Sequence, residues 1–124
     1  ELHSSSHQRQ LIAEINTPFT PDLVVLDGIE AFVDGGPANG KRANGNVFLA
    51  SPDRVAIDAV GVAVLKSLGS NDDIMNTKIF DQEQIARAAD LGLGASSPSE
   101  IDLVPADDAS REYRDRIIHI LNQG

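Results

Sequence analysis

Residues 22 to 61 constrain the fold more than any other part of this chain. The run Leu23-Val24-Val25-Leu26, enclosed by Asp22 and Asp27 and bounded by Pro21 and Gly28, is short, continuous and apolar. That pattern predicts a buried strand over 22 to 27. A second run, Asn46-Val47-Phe48-Leu49-Ala50, reads as the next strand. Ser51 then predicts a helix cap with Pro52 at the first helical position, where a missing N–H costs nothing. Between the strands, residues 28 to 45 hold Gly28, Gly35, Gly36, Gly40, Gly45 and Pro37, so the connection reads as a backbone-permissive loop. Strand, loop, strand and capped helix predict an α/β domain with its site near the strand ends.

The flanking sequence supplies the covering helices. Ser4 to Ser6 offer caps for a helix through about Ile15, with Leu11, Ile12 and Ile15 as its apolar stripe and Pro18 as its end. From Pro52 to Leu68 apolar residues run nearly all the way round the helical wheel, so this helix should be mostly buried, and Gly69 supplies its left-handed stop. A polar connector over 70 to 78 leads to Asp81-Gln82-Glu83-Gln84, a cap for a helix that buries Ile85, Ala88, Ala89 and Leu91 and stops at Gly92. Ile101 to Val104 suggests a strand at a sheet edge. Tyr113, Ile117, Ile120 and Leu121 give the last helix, roughly 110 to 122, an apolar face that must dock somewhere. The expected architecture is a single α/β domain over 1–124, with a short, mostly parallel or mixed sheet covered by helices. The opening at Glu1 reads as the edge of a helix, and amino-terminal elements ahead of it are part of that expectation.

A length of 124 residues allows one hydrophobic core. With four Phe, one Tyr and no Trp, aliphatic residues must fill it, as they do in buried strands and their covering helices. A net charge of −9 repels phosphate backbones and anionic headgroups, which argues against nucleic acid and membrane partners. No apolar run approaches the ~20 residues of a membrane span, and the amino end lacks the order of a signal peptide, so the expected location is cytoplasmic. The absence of cysteine excludes disulfides, thiolate zinc sites, a Cys nucleophile and Cys-ligated iron–sulfur clusters within these residues.

Gly35 to Lys41 satisfies the first seven positions of the phosphate-binding pattern G-x-x-x-x-G-K-[ST], but Arg42 stands where the hydroxyl should be, and a strand follows where the motif needs a helix. A flexible Gly-Pro loop is the ordinary reading, and a weaker anion site using Lys41, Arg42 and glycine amides is the alternative. Asp27, Glu30, Asp34, Asp53 and Asp58 form the acid set. If the two strands are parallel, Asp27 and Ser51 lie at the same sheet end; if they form an antiparallel hairpin, those ends separate. Asp53 suits the positive end of its helix. Asp58 falls within a nearly all-apolar helix, so it either pairs with Arg54 one turn earlier or faces a ligand or metal. The candidate ligand-binding residues are Asp27, Gly35, Gly36, Pro37, Lys41, Ser51, Asp53 and Asp58. Asp27, Asp34 and Asp58 are the candidate metal ligands, with oxygen donors that suit magnesium or calcium. His3 and His7 share a helical i, i+4 spacing but offer only two ligands, and His119 reads as a packing-boundary residue.

The segments Pro21 to Gly28, Gly35-Gly36-Pro37, Ala50 to Gly61 and Ala88 to Gly94, with Leu2 to Ser5 and Ile12 to Asn16 ahead of them, together resemble the bacterial and archaeal domain of unknown function numbered 362. The resemblance spans about residues 2 to 104, leaves 105 to 124 as an added amphipathic helix, and suggests the carboxyl-terminal portion of the family domain. Members are often described as iron–sulfur or ferredoxin-like proteins because many carry cysteine-rich modules beside this domain. The resemblance therefore implies a redox setting, with any cluster carried by another region or partner, and transfers no catalytic residue. Two expectations follow. One is a ligand-binding or catalytic domain with its site at the 27–58 junction. The other is a non-catalytic scaffold that docks an iron–sulfur partner or a second copy of itself through the last helix or an open sheet edge.

Overall fold

The computed structural model describes residues 5–124. The two apolar runs lie on one long antiparallel hairpin, β1 (Val24–Gly35) and β2 (Gly40–Ser51), which forms a two-stranded sheet. Val24 pairs with Ser51, Asp27 with Phe48 and Gly35 with Gly40. The α/β character therefore stands, whereas the sheet is antiparallel rather than mostly parallel. Most of the supposed loop is strand. Its glycines lower strand propensity, which is why 28 to 45 reads as irregular, but the ladder absorbs them through register shifts at Gly28/Glu30 and Phe32/Asp34. Only the tip is a true turn, where Gly35 and Gly36 hold positive φ values of 72° and 94°.

One of those glycines has a packing reason. Gly45 is buried, and a Cβ there would run into the Gly28 carbonyl oxygen and reach Val64 Cγ1 at 3.5 Å. The crossing of hairpin and helix is closed by the absence of a side chain.

That helix, α2 (Arg54–Leu68), is the centre of the fold, burying Val55, Ile57, Ala59, Val60, Ala63 and Val64. Its N-cap is Asp53 rather than Ser51, with the side chain accepting from the Val55 and Ala56 amides. Gly69 ends it in the left-handed conformation, as expected. Both strands, the short helix α3 (Asp72–Asn76), α4 (Glu83–Asp90) and α5 (Arg111–Gln123) pack around α2, while α1 (Gln8–Ile15) lies against α4. α3 replaces part of the expected connector, starting where the Asn71 side chain accepts from the Ile74 N–H. Residues 101 to 104, expected as an edge strand, join no ladder. α5 is not a free docking face, because Ile117 and Leu121 are buried in the core beside Val60, Val64 and Ile79.

Two polar anchors fix the loops around this core. The Arg54 guanidinium donates to the carbonyls of Leu93 at 3.3 Å, Asn16 at 2.7 Å and Phe19 at 2.5 Å. Lys66 donates to the carbonyls of Thr77 at 2.7 Å and Gly124 at 2.6 Å.

Candidate functional site

A cleft of about 500 Å³ opens between β1, α2 and the start of α4, within the range of roughly 300–1,000 Å³ common for small-molecule sites. Leu26, Ala31 and Phe32 from β1 and Val62 and Leu65 from α2 supply its apolar walls. Most of its polar residues come from three helices, Arg9 of α1, Asp58 of α2, and Gln82, Glu83 and Gln84 at the head of α4, and Asp27 of β1 borders it as well. The site is therefore where a hairpin, the central helix and the end of a third element meet.

Asp58 stands between this cleft and a smaller one of about 260 Å³, since Asp58, Gln84 and Ile85 wall both. Arg54 does not pair with it, because that guanidinium is engaged by the three carbonyls named above. Asp58 instead accepts a hydrogen bond from Gln84 Nε2 at 3.3 Å. Crowding by protein on both sides strips water from the carboxylate and raises its pKa above the ordinary 3.8, with the Gln84 hydrogen bond pulling the other way. Its outer edge remains exposed, so solvent screens part of that effect.

The head of α4 has an unusual polar balance. Asp81 belongs to a short 3-10 turn and not to the cap, so the cap falls to Gln82, whose side chain makes no capping hydrogen bond. Among the described residues, no acceptor meets the backbone amides of Glu83, Gln84 and Ile85. Gln82 is only 9% exposed, and its buried Nε2 has no hydrogen-bond partner among the described residues.

Of the sequence candidates, Asp58 and Asp27 border the same cleft. Strand alternation, however, directs the Asp27 side chain away from α2, toward which Leu26 points, and its carboxylate accepts from the Ile29 N–H at 3.0 Å. Asp53 is occupied by backbone: Oδ1 accepts from Val55 and Ala56 at 2.8 and 2.9 Å, and Oδ2 accepts from Ala95 at 2.8 Å. Ser51 Oγ accepts from the Asp53 N–H at 3.0 Å and borders a separate 270 Å³ cleft. Gly35, Gly36, Pro37 and Lys41 lie at the hairpin tip and line none of these clefts.

The three-carboxylate metal set does not assemble. Asp34 lies seven residues along β1 from Asp27, roughly 20 Å in an extended strand, and no group of three His, Cys, Asp or Glu side chains among the described residues can hold a metal ion. The phosphate-loop likeness ends as a hairpin turn leading into β2, with Arg42 paired to Glu30 at 2.9 Å. His3 lies outside the described residues, His7 is exposed at the start of α1, and His119 is exposed and bonded to Gln123. Sequence reasoning missed Arg9, Gln82, Glu83 and Gln84 as site residues. Only the cap-like pattern at 81 to 84 hinted at them, and it pointed to helix initiation.

Among the described residues, no helix is long and apolar enough to cross a membrane. The family model described as a domain of unknown function, DUF362, matches residues 1–63, which include Arg9, Asp27 and Asp58 and end within α2. No curated protein and no solved structure matches the chain.

Proposed function

The chain belongs to the DUF362 family, a domain of unknown function, and we propose that it is a small-molecule-binding α/β domain whose ligand occupies the cleft between β1, α2 and α4. What carries the reading is the combination of an apolar floor with polar groups gathered at one end. Leu26, Phe32, Val62 and Leu65 supply the floor, while Asp58 and the head of α4 supply the polar end. In this reading the domain works in the cytoplasm beside a redox module, and any cysteine-ligated cluster sits on another region or partner, because these residues hold no cysteine.

Indole, a neutral apolar probe, tests the cleft itself. Its addition should shift the amide resonances of Asp58, Val62 and Ile85, and Ala31→Leu, which narrows the floor, should weaken the binding at least 5-fold. Shifts confined to the hairpin tip, or none at all, would refute the assignment.

A scaffold role rests on a different observation. Val25 and Phe48 on the hairpin and Leu23 just ahead of β1 are each more than 60% exposed, and the sheet has only two strands, so each carries an edge. Sedimentation would test self-docking: a dimer that Phe48→Lys converts to monomer supports it, and a monomer at all concentrations removes it.

A further inference from the structure

The polar end of the cleft has two poles of opposite preference. On α4, the uncapped amides of residues 83 to 85 and the unpartnered Nε2 of Gln82 are all donors. Arg9, on the same cleft, adds a guanidinium that makes no ion pair with any described residue. A helix start favours negative charge, and here it coincides with a buried donor and a cation that are both unpartnered among the described residues. On α2, Asp58 presents a carboxylate with no cationic partner among the described residues. Gln84 links the poles, since it belongs to the first turn of α4 and donates to Asp58.

A purely cationic guest would leave the α4 donors unmet. A purely anionic guest would meet Asp58 and Glu83 without relief. A guest carrying both charges a few atoms apart satisfies both poles, and the apolar floor takes its remaining body. Resting on the assignment of the cleft above, we propose that it binds an apolar zwitterion of the α-amino acid class. The guest's carboxylate meets the head of α4, Gln82 and Arg9, its ammonium meets Asp58, and its side chain lies along Leu26, Phe32, Val62 and Leu65.

Three probes that share a phenyl ring separate the charges: phenylalanine, phenethylamine and 3-phenylpropionate. Titrations followed by calorimetry or amide shifts should show phenylalanine binding at least 10-fold more tightly than either of the others. Asp58→Asn should weaken phenylalanine and phenethylamine at least 10-fold while leaving indole binding unchanged, which confirms that the cleft is intact. Arg9→Gln should weaken phenylalanine and 3-phenylpropionate but not phenethylamine. Equal affinities for the three probes, or an Asp58→Asn protein that binds phenylalanine as before, would overturn the inference. If indole still binds in that case, the cleft assignment survives and only the charge argument falls. If indole fails as well, the cleft assignment itself is wrong.

Discussion

Replacing Asp53 tests how the site's scaffold is held. Its carboxylate makes three hydrogen bonds to backbone N–H groups: two cap α2, and the third holds Ala95, which is only 5% exposed. In Asp53→Ala the lost cap costs about 1 kcal/mol. The buried Ala95 amide, left without an acceptor, adds about 1–3 kcal/mol. The expected loss is therefore about 2–4 kcal/mol, or a melting temperature lower by roughly 8–16 °C for a domain of this size. Asp53→Asn keeps the Oδ1 acceptor for the cap but turns an NH₂ toward Ala95, so it should lose about 1–3 kcal/mol. The gap between the two variants isolates the cap. Urea denaturation reads both, and an unchanged m-value will show that the denatured state is unaffected. Asp53 lines none of the three larger clefts, so indole binding should persist in both proteins at temperatures where they are folded. An Asp53→Ala protein within 0.5 kcal/mol of the parent would refute this account of the α2 start, and selective loss of indole binding at full stability would return Asp53 to the site.

Three further perturbations follow from the same geometry. Gly94→Ala should destabilise the domain by more than 2 kcal/mol in urea titrations, because the new Cβ would collide with Asp53 Oδ1 and sit 2.7 Å from Asp53 Cγ and 2.9 Å from Val55 Cγ2; full stability would show that the loop at 94 moves freely. Asp58 has a raised folded pKa, so the folded state holds the proton more tightly than the unfolded chain, and its contribution to stability declines as pH rises from 3.8 through that higher value. Asp58→Asn should therefore be at least as stable as the parent at pH 7, with the advantage fading below pH 3.8; a variant less stable at pH 7 than at pH 3, relative to the parent, would contradict the sign. Lys66→Met removes the donor that joins the Thr77 and Gly124 carbonyls and should speed amide exchange in 74–78 and the last turn of α5, at a cost of about 1 kcal/mol; unchanged exchange there would show that the lysine is incidental.

Legibility in the sequence followed the range of the interactions. α2 could be read from its own residues, because an apolar helix that ends at Gly69 needs no knowledge of its neighbours. The hairpin could not. Gly28, Gly40 and Gly45 weaken the local strand signal, and their place in the ladder depends on a partner strand and a crossing helix that only the folded chain supplies. The same glycines made 28 to 45 look like a ligand loop, when at Gly45 the missing side chain serves the close approach of β1 and Val64. The cap shows a subtler limit. Ser51-Pro52-Asp53 offered two acceptors for one helix start, and the choice fell to Asp53 because its second oxygen also reaches Ala95, a residue 42 positions away.

The candidate site follows that rule as well. Asp58 was legible as an acid out of place on an apolar helix, but its natural partner Arg54 is claimed by carbonyls 35 to 39 residues distant, which no local pattern encodes. With Arg54 engaged elsewhere, Asp58 is left to Gln84 and the cleft. The carboxylate is thus available to a guest because the fold directs the adjacent cation to hold the loops at 16–19 and 93 in place. Arg54 is therefore a positioning residue for the candidate site: replacing it by methionine should loosen those loops and leave the Asp58 pKa where it was, whereas a direct Arg54–Asp58 pair would have predicted a further rise of that pKa. Titration of Asp58 by carboxylate ¹³C shifts in the parent and in Arg54→Met separates the two, since an unchanged midpoint is expected when the guanidinium faces carbonyls, and an upward shift would mean that it had been paired with the carboxylate after all.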